Sequence, residues 1–224
     1  MEMTIRILTK FSDVREAALV TVHKDFDASS GLLKPELYDS YFISEHSPIR
    51  SFIVRIKWKG ISRRVAMHLV RHVHSLPFVS STRSDRFPGH KDDEVVDMIQ
   101  DCNAQALIDM ARKRLCTLAY KDTRQVIEDV KYYLMTYSNP HDAELERAVR
   151  SLGRCMVPNC VYRSGCPEGK HSCNFLSVLD TKYAEEAKDK SPLFGLSIQN
   201  RYEMYNRYFK ETYEQSIANN IKTE

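Results

Sequence analysis

The chain has 224 residues, of which 42% are hydrophobic and 28% charged, and this balance predicts a globular protein with one main core. Seven glycines and eight prolines exclude a collagen-like chain, and no apolar run approaches the ~20 residues that a membrane span needs. A net charge of +3 is too small for a dedicated duplex-DNA binder but leaves room for one local basic pocket.

The N-terminal part of the chain predicts two strands and two helices. Residues 4–8 alternate as a strand does, and Ser12 and Asp13 are suited to cap a helix that runs to Val22. A short helical stretch is expected around residues 37–38. Residues 51–58 form the best strand of the sequence, because their apolar side chains recur with a period of two.

A basic helix is predicted after Gly60. Apolar residues at helical spacing continue to Val73 and leave cations on the opposite face: Arg63, Arg64, His68, Arg71 and His72. Residues 75–91 are then expected to form a loop. The cations, with the hydroxyls and arginines of residues 80–86, suit the phosphate oxygens of a nucleotide or a dinucleotide cofactor. A solvated basic helix face is the alternative interpretation.

Helices dominate the prediction for the rest of the chain. Acidic residues 92–94 precede an apolar stripe typical of a helix, formed by Val95, Ile99, Cys102, Ala106 and Met110. Further helices are predicted over residues 123–137 and 142–152 and from Ile198 onward, while residues 153–173 look irregular. The aromatic stripe of the last helix, with Tyr202, Tyr205 and Phe209, suggests a core or a subunit interface. The predicted fold class is therefore α+β, a small sheet with several long helices.

The order of residues 71–84 resembles the signature motif of the flavin-dependent thymidylate synthases. That motif runs Arg-His-Arg, two residues, Ser, one residue, Asn-Glu, one residue, Ser, one residue, Arg-Tyr. Arg71, His72, Ser81 and Arg83 match it. The other signature positions are occupied by Val73, Leu76, Phe78, Val79 and Ser84, and His68 stands where the family usually has Gln.

The resemblance extends over roughly residues 40–160. It includes residues 44–48, Ser62 and Arg63, and residues 146–148 and 156–158. Residues 82–86 and 103–108 also look similar to divergent phage-encoded members, for which the location would be the host cytoplasm.

The resemblance implies a fold, a reaction and a set of binding residues. The family's α+β fold is expected over residues 1–152. The implied reaction transfers a one-carbon unit from methylenetetrahydrofolate to C5 of dUMP, with reduced FAD as hydride source and NADPH as reductant, in a homotetramer whose sites are shared between chains. Nucleotide binding would fall to His68, Arg71, Ser81 and Arg83, and FAD binding to Ser47, Arg71, His72 and His74.

Two other functions stay open, and no catalytic residue is assigned. The signature residues that lie near the base in the family are replaced here, so another pyrimidine-nucleotide modification, such as hydroxymethylation, is one alternative. A non-catalytic metal-containing binding protein is the other.

Four of the six cysteines cluster in the segment 153–175. The N-terminus lacks a secretory pattern, so we expect a cytoplasmic protein with reduced thiols. The clustered thiols Cys155, Cys160, Cys166 and Cys173 are suited to hold zinc or an iron–sulfur cluster, with Cys116 as a possible replacement for Cys155. Structural thiols and disulfides are the alternatives. Residues 176–224 are expected to form a C-terminal helical tail.

Overall fold

The computed structural model of the chain describes residues 1–27, 31–81, 95–183 and 196–221. The chain divides into two compact units. The first comprises Met1–Met110 and Asn139–Ala148, and the second comprises Ala111–Ser138 and Val149–Glu224. Within the described ranges, every helix is too short or too polar to cross a lipid bilayer.

A four-stranded antiparallel sheet organises the first unit. Its strands are β1 (Glu2–Ile7), β2 (Ile53–Ile61), β3 (Ser75–Val79) and β4 (Val96–Asn103), in the spatial order β1-β2-β4-β3. The alternation predicted for β2 is confirmed, because Val54, Ile56 and Trp58 are fully buried on one face of the sheet.

Helices and an aromatic cluster complete the first unit. The helices are α1 (Phe11–Val20), α2 (Pro35–Ile43), a 3₁₀ helix (Ser47–Ser51), α3 (Arg63–Leu69) and α4 (Ala104–Arg114), which begins directly after β4 and ends in the second unit. The ring of Phe11 lies 5.2 Å from that of Tyr38 and 6.1 Å from that of Phe52. These contacts fix the segment that precedes β2 against α1 and α2.

The second unit is helical over the residues that the structure describes. It contains α5 (Lys121–Met135), α6 (Ala143–Cys155, which begins in the first unit), α7 (Asn159–Arg163), a 3₁₀ helix (Gly169–His171), α8 (Phe175–Tyr183) and α9 (Ile198–Ile221). Lys131 of α5 is fully buried, and its Nζ donates hydrogen bonds to the carbonyl of Gly153 and to Oδ1 of Asn206. The aromatic stripe of α9 is buried within the chain and forms core, so it gives no argument for a subunit interface.

The α+β class is confirmed, but four local predictions are wrong. Residues 96–103 form β4 rather than a helix, and residues 75–79 form β3 rather than a loop. The basic helix ends at Leu69, so Arg71 and His72 lie beyond it. The segment 153–175 is not irregular throughout, because it holds the end of α6, all of α7 and a 3₁₀ turn. The helix start predicted at residues 92–94 lies outside the described residues.

Candidate functional site

The turn between α3 and β3 carries most of the predicted binding residues. Ser62 caps α3, since its Oγ accepts a hydrogen bond from the backbone N–H of Val65. His68 lies half-buried in the last turn of α3, and Arg71 is exposed just after it. His72 is 8% exposed, whereas His74 is exposed and has a φ of +67°. The left-handed conformation of His74 reverses the chain into β3.

A buried glutamine holds this turn in place. The side-chain amide of Gln100, on β4, donates hydrogen bonds to the carbonyl of Leu69 at 3.2 Å and to Oγ of Ser75 at 2.7 Å. The hydroxyl of Ser75 in turn donates to the carbonyl of His72. The sequence analysis missed Gln100, because a glutamine among apolar residues is not by itself a sign of a buried side chain.

The sheet register shows at which end of the sheet the α3–β3 turn lies. Ser75 of β3 and Val54 of β2 both pair with Cys102 of β4. The α3–β3 turn therefore lies at the end of the sheet where β2 begins. We call this place the turn end of the sheet: residues 71–74 lie there, and the 3₁₀ helix that opens with Ser47 leads into the strand that begins there.

Helix α4 also starts at the turn end. Oδ1 of Asn103 accepts a hydrogen bond from the backbone N–H of Ala106, which caps the helix. In the first turn of the helix, Nε2 of Gln105 donates to Oε2 of Glu45 at 2.6 Å and fixes the loop before Ser47. The loop that precedes the exposed Ser47 is thus anchored to the start of α4.

Exposed side chains in and before the turn end are of types that bind phosphate groups. Arg71, His74 and Ser47 are exposed, and a guanidinium, an imidazole and a hydroxyl all donate to phosphate oxygens. The nearby carboxylate of Asp101 is engaged by the guanidinium of Arg55 through two hydrogen bonds of 2.6 Å, which hold the pKa of Asp101 below its usual value. The carboxylate stays ionised, but its pairing with Arg55 offsets its negative charge and reduces its repulsion of an anion.

Ser81, another of the signature residues, lies away from the turn end. Ser80 pairs with Asp97 at the far end of β3, and the exposed Ser81 follows it. Because a strand rises about 3.4 Å per residue, Ser81 is more than about 13 Å along the strand from Ser75. The structure therefore separates Ser81 from Arg71 within one chain. Arg83 lies outside the described residues.

The predicted metal ligands do not all come together. Cys116, Cys160, Cys166 and Cys173 line one cavity of about 280 Å³ in the second unit. Cys155 is buried at the end of α6, where it acts electrostatically on Lys131, and it does not line this cavity. All six cysteines are free thiols. Among the described residues, no three histidine, cysteine or acidic side chains converge closely enough to hold a single metal ion.

Comparison with solved structures confirms the fold that the sequence suggested. A crystal structure of the flavin-dependent thymidylate synthase ThyX from Helicobacter pylori, complexed with FAD and dUMP, matches with a TM-score of 0.51 at 14% identity, over 66% of this chain and 99% of that chain. A second structure of that enzyme with FAD and dUMP gives a TM-score of 0.50 at 14% identity, over 67% of this chain and all of the other. No family model and no curated protein sequence matches the chain. The chain therefore has the fold of the flavin-dependent thymidylate synthases.

Proposed function

We propose that the protein is a cytoplasmic enzyme that binds dUMP and FAD and transfers a one-carbon unit from methylenetetrahydrofolate to C5 of the uracil. The observation that carries the proposal is the conjunction of the fold with the turn end of the sheet, where Arg71, His72 and His74 follow one another in a single turn. In the proposed reaction, NADPH would reduce the bound FAD, and the reduced flavin would supply the hydride.

In this proposal, the chain's own residues bind the nucleotide and orient it. Arg71 and His74 donate hydrogen bonds to phosphate oxygens, and Ser47 adds a hydroxyl donor. Gln100 acts as a positioning residue, since it fixes the turn and has no exposed atoms of its own. A rigid turn lowers the entropic cost of holding a nucleotide in one orientation.

A cysteine nucleophile is not part of the proposed mechanism. Cys102 is the cysteine that lies at the turn end, and burial raises the pKa of its thiol to about 12. A thiol with such a pKa is protonated at neutral pH and is a poor nucleophile. Activation of the uracil must then come from polarisation of its carbonyls and from the cofactor.

A second copy of the chain would complete the proposed site. The separation of Ser81 from Arg71 is consistent with a site shared between chains, in a homotetramer. Leu76 and Phe78 on the sheet-edge strand β3 support this, because they are 64% and 60% exposed and large apolar side chains on an edge strand favour association. Light scattering is expected to show an oligomer, and a strict monomer at micromolar concentration would exclude a shared site.

Flavin content and nucleotide binding test the proposed function. The purified protein is expected to carry a flavin absorbance that bleaches on reduction, and dUMP is expected to shift its thermal midpoint upward by mass action. dCMP serves as the control nucleotide, since it has the same phosphate but a different base. A protein that neither binds FAD nor responds to dUMP would contradict the proposal.

A further inference from the structure

We propose that Cys116, Cys160, Cys166 and Cys173 hold an iron–sulfur cluster in the cavity that they line in the second unit. The cavity contains four thiols from three separate parts of the chain. Cys116 follows α4, Cys160 lies in the first turn of α7, and Cys166 and Cys173 flank the 3₁₀ helix Gly169–His171. None of the residues that line this cavity belongs to the turn end of the sheet, and the proposal does not depend on the proposed function.

The structure decides between the two candidates for the fourth ligand. The sequence alone allowed either Cys116 or Cys155 to join the other three cysteines. Cys116 lines the cavity, although more than forty residues separate it from Cys160, whereas Cys155 lies outside the cavity. Convergence of a distant cysteine on the same cavity is unexpected for thiols that merely cluster in sequence.

The four thiols are close enough to influence one another. The thiol of Cys160 lies close enough to those of Cys116, Cys173 and Cys166 to interact with each of them electrostatically. Thiols held together in this way repel one another as thiolates unless a cation neutralises them. A bound metal centre supplies that charge.

The size of the cavity favours a cluster over a single ion. Zinc holds each sulfur at about 2.3 Å, so its four ligands crowd around one point. Among the described residues, no three metal-ligating side chains converge on one point. The four cysteines instead line a cavity of about 280 Å³. In a four-iron cluster each thiolate binds a different iron, and the ligands stand around a central volume.

The charge of the cavity lining also suits a cluster. Arg112, Lys113 and Arg114 line it, while Glu168 is the acidic residue among the lining side chains. The guanidinium carbon of Arg112 lies 3.7 Å from the centroid of the Tyr162 ring, which holds this cation in place. Four thiolates around an iron–sulfur core carry net negative charge, and nearby cations stabilise it.

Metal analysis after anaerobic purification of the full chain tests the proposal. We expect about four irons and four acid-labile sulfides per chain. Reduction with dithionite is expected to give an electron paramagnetic resonance signal of a cluster, which distinguishes it from flavin. One equivalent of zinc without iron would overturn the cluster, and so would a protein that contains neither metal after reconstitution with iron and sulfide.

Matched cysteine variants assign the ligands. Cys166→Ser and Cys173→Ser change half-buried residues and are expected to lose most of the iron and sulfide while circular dichroism shows a retained helical fold. Cys116→Ser is expected to behave like them. Cys155→Ser and Cys102→Ser are the controls and are expected to keep the full iron content. Loss of iron in Cys155→Ser together with retention in Cys116→Ser would overturn the assignment.

Discussion

The side-chain amide of Gln100 donates a hydrogen bond to the hydroxyl of Ser75 across a distance of 2.7 Å, and the same amide donates to the carbonyl of Leu69. Strand β4 is thereby tied to both ends of the turn that carries Arg71 and His72. The turn owes its conformation to this buried contact and to the left-handed His74, rather than to continuation of the basic helix.

Removal of the Gln100 amide is expected to destabilise the first unit. Gln100→Leu keeps the side-chain size but leaves the Leu69 carbonyl and the Ser75 hydroxyl without their donor, which should lower the free energy of unfolding by about 1–3 kcal/mol. Urea denaturation measures it. In the control, Gln125→Leu, an exposed amide contact to Asp129 is lost, and the change should stay within about 0.5 kcal/mol. Equal effects of the two substitutions would rule out a structural role for Gln100.

Arg71 is expected to contribute to ligand binding and little to stability. If its guanidinium binds a phosphate, Arg71→Ala should weaken the binding of dUMP or FAD by about 1.5–3 kcal/mol and leave the urea midpoint unchanged, because the side chain is exposed. Titration calorimetry measures both affinities. Arg6→Ala, which changes an exposed arginine of β1, is the matched control. Unaltered affinities in Arg71→Ala would remove the turn from the binding site.

The close approach of α5 and α6 requires glycine at position 153. A Cβ added to Gly153 would lie 2.7 Å from the backbone nitrogen of Met135 and 2.9 Å from the carbonyl carbon of Leu134. Backbone atoms cannot move aside cheaply, so Gly153→Ala should cost about 1–3 kcal/mol despite the better helix propensity of alanine. Gly31→Ala has open space around it and should be nearly neutral. Similar urea midpoints for both variants would contradict this packing.

The buried Lys131 should make stability depend on pH. Burial lowers the pKa of its ammonium well below 10.5, so the unfolded chain binds the proton more tightly than the folded chain does. The free energy of unfolding should therefore rise with pH between the folded-state pKa and about 10.5. This rise should be missing in Lys131→Met and retained in Lys121→Met, at the exposed start of the same helix. Urea titrations across that pH range measure the free energy of unfolding. If it changed with pH in the same way in wild type and in Lys131→Met, the lowered pKa of Lys131 would be refuted.

Sequence periodicity was informative where one face of an element is uniformly apolar. The alternation in β2 gave a correct strand because Val54, Ile56 and Trp58 are all apolar and all buried. In β4 the buried positions are Val96, Met98, Gln100 and Cys102, and the polar Gln100 breaks the alternation. The apolar residues Ala106 and Met110 of α4 extended this segment into an apparent helical stripe that began at Val95. The structure contradicts the stripe, because Val95 is 61% exposed.

The composition of the site was easier to predict than its arrangement. The resemblance selected Arg71 and His72, but the periodicity placed them on a helix, and only the structure shows that they lie in the turn after α3 and that Ser81 lies at the other end of β3. Cys116 illustrates the same difference. Its position in the chain gave no reason to prefer it over Cys155, because the contact that brings it to the cavity depends on how α4 and α7 pack.

Transfer of an isotopically labelled carbon tests the central claim most directly. The protein, supplied with dUMP, NADPH, FAD and methylenetetrahydrofolate labelled at the methylene carbon, is expected to yield a nucleotide that carries the label in a methyl group on C5, as detected by mass spectrometry. Recovery of the label as a hydroxymethyl group would replace the proposed reaction by hydroxymethylation on the same fold. Recovery of unchanged dUMP from a protein loaded with FAD would contradict the proposal that this chain modifies uracil nucleotides.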